Sequence, residues 1–189
     1  MEGLIRKYVS SNPVFSSPTY IARHLQLPHG VARLFDAQPE AFVKATAPIC
    51  ELFGFKVLPF HLHIILGGAV FYQAIFLISP VLSRPFKAYT SLNMRSKINW
   101  DLHVVSMVQS VLICWLAYLA LGDPELLADR VFGYSRYGGN VSALACGYFL
   151  WDSYVSIKYV KFFGMGFALH GVTSLAVFLF GFVPSLCCE

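Results

Sequence analysis

The sequence predicts an all-α fold, a polytopic transmembrane helical bundle with four spans. Three observations carry that expectation. Of 189 residues, 57% are hydrophobic and only 13% charged, about half the charged share of a typical soluble domain. Mean hydropathy is +0.61. The few charges divide the chain into four long charge-poor runs. So apolar a chain is not disordered. A soluble globule of this length lacks the interior volume to bury this much apolar side chain.

The runs set the elements in order. Residues 59–80 and 102–122 contain no Lys, Arg, Asp or Glu. Residues 141–157 contain one charge, Asp152, and residues 162–188 contain none. A helix needs about 20 residues to cross the hydrocarbon core. The predicted spans are therefore about 59–79, 100–121, 141–160 and 163–184. Tyr89, Trp100, Tyr118 and Tyr159 fall near their ends, where amphipathic rings favour the interface.

The organisation ahead of the spans differs. Residues 1–49 read as a polar tail, with residues 50–189 as the membrane domain. The N-terminus lacks the apolar stretch of a secretory signal peptide. Arg6, Lys7, Arg23 and Arg33 face one acid, Glu2, before Asp36. A mitochondrial presequence has that balance, but a solvated or surface-lying tail is favoured. From Glu40 onward Phe42, Ala45, Ile49, Leu52 and Phe53 recur at helical spacing, with Lys44 and Glu51 off the stripe. That pattern predicts an amphipathic helix bent near Pro48, lying on the membrane or packing as an ordinary helix.

Charge excludes some functions and orients the chain. A dispersed net charge of +4 does not point to nucleic acid. The five Cys show neither zinc spacing nor a disulfide framework, so no metal and no cofactor is expected. Cys187 and Cys188 follow the last run and are candidates for palmitoylation. The 81–99 loop holds Arg84, Lys87, Arg95 and Lys97 without an acid, which favours a cytosolic position. The sequon at Asn140 abuts the third span.

Polar groups inside spans are the candidate site. A central charge costs about 2.5 kcal/mol or more in a membrane helix and so faces the bundle interior. Asp152 shares a helix face with Tyr148 and Ser156. In the fourth span His170 is followed by Thr173 and Ser174, with Gly166 four residues before it. Asp152 and His170 stand equally far from the turn at Lys161. They are therefore expected at one depth, as a hydrogen-bonded pair, an acid–base relay or a lipid contact. His61, His63, Gln73, His103, Ser106, Gln109 and Ser110 are weaker candidates. No His-x-x-x-His or Glu-x-x-His spacing supports a metal. Asp101 beside Trp100 reads as interfacial.

The stretch Gly147-Tyr148-Phe149-Leu150-Trp151-Asp152, a basic turn, then Leu169-His170-Gly171-Val172-Thr173-Ser174 resembles the centre of the TLC (TRAM, Lag and CLN type) domain. Asn93 to Trp100, reading NMRSKINW, and the following DLHVVS resemble that family's second helix and its preceding basic turn. The resemblance covers about residues 50–186, closest to the small TLC-domain proteins. It implies a multi-pass protein of the endoplasmic reticulum that binds or handles membrane lipids, with lipids and other membrane proteins as partners. Three departures matter. Gly171 stands where ceramide synthases carry a second His, the family's downstream acidic stretch has no counterpart, and four spans are fewer than the family's. The chain is thus expected to be C-terminally shortened. Two rival functions remain. One is an acyl-CoA-dependent N-acyltransferase with His170 as base and Asp152 orienting it. The other is a channel or carrier with Asp152, His103, Gln73 and Gln109 along a polar path.

Overall fold

The computed structural model describes residues 39–129 and 133–183. The tail before residue 39 and the cysteines at 187 and 188 lie outside the described residues, as do the expectations placed on them. Every regular element among the described residues is helical. In order they are α1 (Glu40–Leu52), a 3₁₀ turn (Leu58–Phe60), α2 (Leu62–Ser83), α3 (Lys87–Thr90) and α4 (Met94–Ala120). There follow α5 (Pro124–Ala128), α6 (Arg136–Lys158), α7 (Val160–Phe163) and α8 (Met165–Phe180).

The described chain forms two compact units. The first gathers residues up to His63, Leu116–Ser142 and the segment from Gly181. The second gathers Ile64–Trp115 and Ala143–Phe180.

In the first unit α1 buries Val43, Ala47 and Cys50, and Val43 packs with Val57, Phe60 and Tyr134. The stripe of Phe42, Ala45, Ile49, Leu52 and Phe53 read from the sequence is not this packed face. Ile49, Leu52 and Phe53 on that stripe are exposed, at 63%, 82% and 69%. The helix carries two apolar faces, one packed and one bare, and it continues through Pro48.

In the second unit α2 and α4 are long and apolar enough to cross a membrane. Only 22% and 17% of their most apolar stretches are buried, whereas the core helix of a soluble protein is mostly buried. Val70, Leu77, Met107 and Val111 stand outward, a surface suited to hydrocarbon. On the inner side Tyr72, Val105, Trp151 and Val155 form the core. Glycines let the helices approach. A Cβ at Gly147 would lie 2.7 Å from the Ile65 carbonyl oxygen and 3.1 Å from Gly68 Cα. The α2 helix runs past Pro80 to Ser83, four residues beyond the expected end. Its last turn is held from outside the helix, by Ser79 to Asp101 and by Trp100 to Ser83.

The other two expected spans differ in kind. Helix α6 is 23 residues long, but Gly, Ser and Asn dilute it, and it is less apolar than α2 and α4. Helix α8 is apolar but has 16 residues rather than 22. Gly164, at φ +87°, breaks the chain before α8, a backbone region that only glycine enters readily. The helix ends ahead of Gly181.

Candidate functional site

Asp152 sits on α6 and is half-buried. The α8 backbone reaches it through Gly171, where a Cβ would stand 2.9 Å from Asp152 Oδ2 and 3.0 Å from Ser153 Oγ. That contact fixes why residue 171 has no side chain. Thus α6 and α8 meet at Asp152, as the shared depth predicted. The partner at the contact is the glycine and not the imidazole. His170 is exposed and lies edge-on to Phe149, with ring centroids 6.5 Å apart. Neither a hydrogen bond nor an ion pair joins the two. Helical geometry explains the offset, because residues 170 and 171 point about 100° apart.

The other expected residues are distributed around this contact. Tyr148 shares a 2.9 Å hydrogen bond with Ser106 Oγ, and its ring packs on Tyr72 with centroids 5.4 Å apart. Gln109 is buried and accepts from the Tyr72 hydroxyl. Trp151 Nε1 donates to Gln73 Oε1 at 3.1 Å. Ser156 is buried and Ser174 half-buried. Thr173 is exposed and donates to Leu169 O within its own helix at 2.8 Å. His103 is also exposed, and its Nδ1 donates to Asn99 O at 2.7 Å. Asp152 makes no hydrogen bond to a described residue.

Two polar clusters escaped the sequence. In the second unit Asp101 is buried. It accepts from Ser79 Oγ at 2.7 Å and from Tyr89 OH at 3.1 Å. Burial, and then the bond to Asp101, push the Tyr89 hydroxyl above its ordinary pKa, so it remains a donor. In the first unit His61 is 1% exposed. Its Nδ1 lies 2.7 Å from Asn140 Oδ1, and its Nε2 lies 2.5 Å from Tyr134 OH. The amide oxygen only accepts, so Nδ1 donates, and Nε2 accepts from the tyrosine. That pair of bonds fixes a neutral tautomer and leaves no ring nitrogen for a metal. Among the described residues no group of three His, Cys, Asp or Glu is placed to hold one.

Residues 99–188 match the TLC domain family. The chain carries a TLC domain. The match contains Asp101, Asp152, Gly171 and His170, and it begins well after residue 50, where the likeness was expected to start. Relatives extend it. An uncharacterized TLC domain-containing protein of Schizosaccharomyces pombe is 43% identical over 148 residues, 78% of this chain and 50% of the relative. Topoisomerase I damage affected protein 4 of Saccharomyces cerevisiae is 34% identical over 129 residues, covering 66% of this chain and 46% of the relative. TLC domain-containing protein 4 C of Dictyostelium discoideum is 26% identical over 98 residues, 52% of this chain and 36% of the relative. The chain spans about half the length of the nearer of these relatives. No solved structure matches it.

Proposed function

We propose that this TLC-domain chain is a four-span membrane protein of the endoplasmic reticulum. It serves lipid homeostasis by holding a membrane lipid against the α6–α8 contact. The observation that carries this reading is Asp152. A carboxyl group on a membrane helix, half-buried and without a hydrogen bond from any described residue, calls for a further donor. A lipid head group with a hydroxyl or amine supplies one. His170 stands on the open side of the same contact, beside Phe149 and Phe178, whose rings pack at 5.2 Å. Polar groups at the edge of an aromatic, apolar surface suit a lipid with one polar end.

Two observations favour binding over the rivals. The acyltransferase reading needs Asp152 to orient His170 as base, and no bond joins them. The channel reading needs free polar groups in sequence, but Gln73 and Gln109 are engaged by Trp151 and Tyr72.

Purified chain is expected to retain lipid through detergent exchange, and Asp152→Asn or His170→Ala to lose most of it. Membranes of a deletion strain rescued with these variants should show the same lipid shift as the unrescued strain. Robust acylation of a sphingoid base from acyl-CoA, abolished in His170→Ala, would instead establish an enzyme.

The four-span topology has its own test. Single cysteines replacing Ser91, Ala128 and Lys161, all exposed, should label with an impermeant maleimide in sealed microsomes. Positions 91 and 161 are expected on one side and position 128 on the other. Labelling of 128 together with either of them would break the assignment.

A further inference from the structure

A groove of about 400 Å³ runs along the outer side of α4 in the second unit, lined by Ser96, Asn99, Trp100, His103, Val104 and Met107. These residues follow one helical stripe. The stripe is graded along its length. At the start of α4 it presents Ser96 Oγ, the Asn99 amide and His103 Nε2, none of them hydrogen-bonded to a described residue. Towards the helix middle it presents Val104 and Met107, the latter 65% exposed. Trp100 stands between the two halves. Its Nε1 is tied to Ser83 Oγ at 3.1 Å and its ring lies edge-on to Tyr89 at 5.9 Å, so it is a fixed wall and not a mobile side chain.

Length places the groove at a membrane boundary. The 27 residues of α4 rise about 40 Å at about 1.5 Å each, against about 30 Å of hydrocarbon. The surplus falls at the polar start of the helix, since the far end is apolar up to Leu119 and Ala120. Ser96 and Asn99 therefore lie at head-group depth, His103 at the edge of the hydrocarbon, and Val104 and Met107 at acyl-chain depth. The exposed charge there has one sign, since the acid nearest the groove, Asp101, is buried and accepts from Ser79 and Tyr89. Residues 81–99 carry Arg84, Lys87, Arg95 and Lys97 and no acid. Lys97 Nζ stands 5.8 Å from the centroid of the Tyr89 ring that backs Trp100. Arg95 lies four residues before Asn99, on the adjoining helix turn.

We propose that this groove binds an anionic phospholipid of the surrounding leaflet. Ser96 Oγ and the Asn99 amide donate to the phosphate under the field of Arg95 and Lys97. His103 Nε2, an acceptor because Nδ1 donates to Asn99 O, faces a donor of the head group. An acyl chain lies along Trp100, Val104 and Met107. The site is independent of Asp152 and of the reading given for it. A zwitterionic lipid gains the same apolar contact but not the attraction of the basic residues, so the site selects by head-group charge. A basic residue near an anionic membrane surface contributes about 1 kcal/mol, so a preference of about five-fold per engaged cation is expected.

The test uses the full chain in phosphatidylcholine vesicles, with Trp115→Phe and Trp151→Phe leaving Trp100 as the reporter. Brominated phosphatidylserine should quench Trp100 more than brominated phosphatidylcholine does at equal mole fraction. Arg95→Gln with Lys97→Gln should bring the two into line, and Asn99→Leu with His103→Phe should do the same while leaving the charge intact. Equal quenching by both lipids in the reporter chain overturns the site. A preference that survives Asn99→Leu with His103→Phe also overturns it, because attraction to the basic loop alone then accounts for the enrichment. Since Trp151 is a core residue, native mass spectrometry of the unsubstituted chain with an equimolar lipid mixture gives a second readout. There the bound adduct should be phosphatidylserine, and Arg95→Gln with Lys97→Gln should remove the bias.

Discussion

Gly147→Ala should destabilise the chain by about 1–3 kcal/mol, the range for forcing an extra carbon into a packed interior. The added Cβ would fall 2.7 Å from Ile65 O, 3.1 Å from Gly68 Cα and 3.2 Å from Ala69 N. Those neighbours are backbone, so no side chain can rotate away, and α2 and α6 must separate. Separation would in turn loosen Tyr72 and Trp151, which share one core. Gly147→Leu should abolish a monodisperse folded peak in detergent size-exclusion chromatography. Gly67→Ala and Gly166→Ala are the controls, since a Cβ at either meets nothing within 4 Å. An unfolding midpoint for Gly147→Ala equal to those controls would mean that the helices do not approach as described.

His61→Ala is expected to cost about 3 kcal/mol or more. Deleting a buried ring leaves a cavity, for which aromatic-to-alanine changes cost about 3–5 kcal/mol. It also withdraws the donor to Asn140 Oδ1 and the acceptor for Tyr134 OH, and a buried group deprived of its partner costs about 1–3 kcal/mol. The two contributions overlap, because the cavity relaxes around the same residues. Phe182, whose ring centroid is 5.4 Å from that of His61, loses a neighbour as well. His61→Gln keeps a donor and an acceptor and should recover part of the loss. Thermal unfolding followed by a thiol-reactive dye at buried Cys50 and Cys146 reads both variants. Equal stability of His61→Ala and the unsubstituted chain would dismiss a structural role for this histidine.

Much of the membrane character was legible because it rests on absence of charge, which needs no knowledge of packing. The long α2 and α4 follow directly from residues 59–80 and 102–122. The ends of α8 were less legible. The charge-free run continues beyond the helix, and a charge count does not register that Gly164 turns the backbone. The Asp152–Gly171 contact was half legible. Depth follows from counting outward from Lys161, but which of two adjacent residues points inward depends on helix rotation, which packing sets. The partners of Asp101 and His61 were not legible, for a different reason. Asp101 is satisfied by residues 22 and 12 positions earlier, and His61 by residues 79 and 73 positions later. No local pattern announces such partners, so neither residue's hydrogen bonds can be read from its neighbours in sequence.

The shortness of α8 bears on the lipid around it. Its 16 residues rise about 24 Å, some 6 Å less than an average hydrocarbon core. A crossing by α8 must therefore be met by elastic deformation, with the leaflets drawn inward beside α8, at fractions of a kcal/mol per Å of mismatch. That strain is smaller in a thin bilayer than in a sterol-rich one. The pinched zone would surround the helix that carries His170 and Gly171. Lipid acyl chains there would be shortened or tilted before any head group reached Asp152.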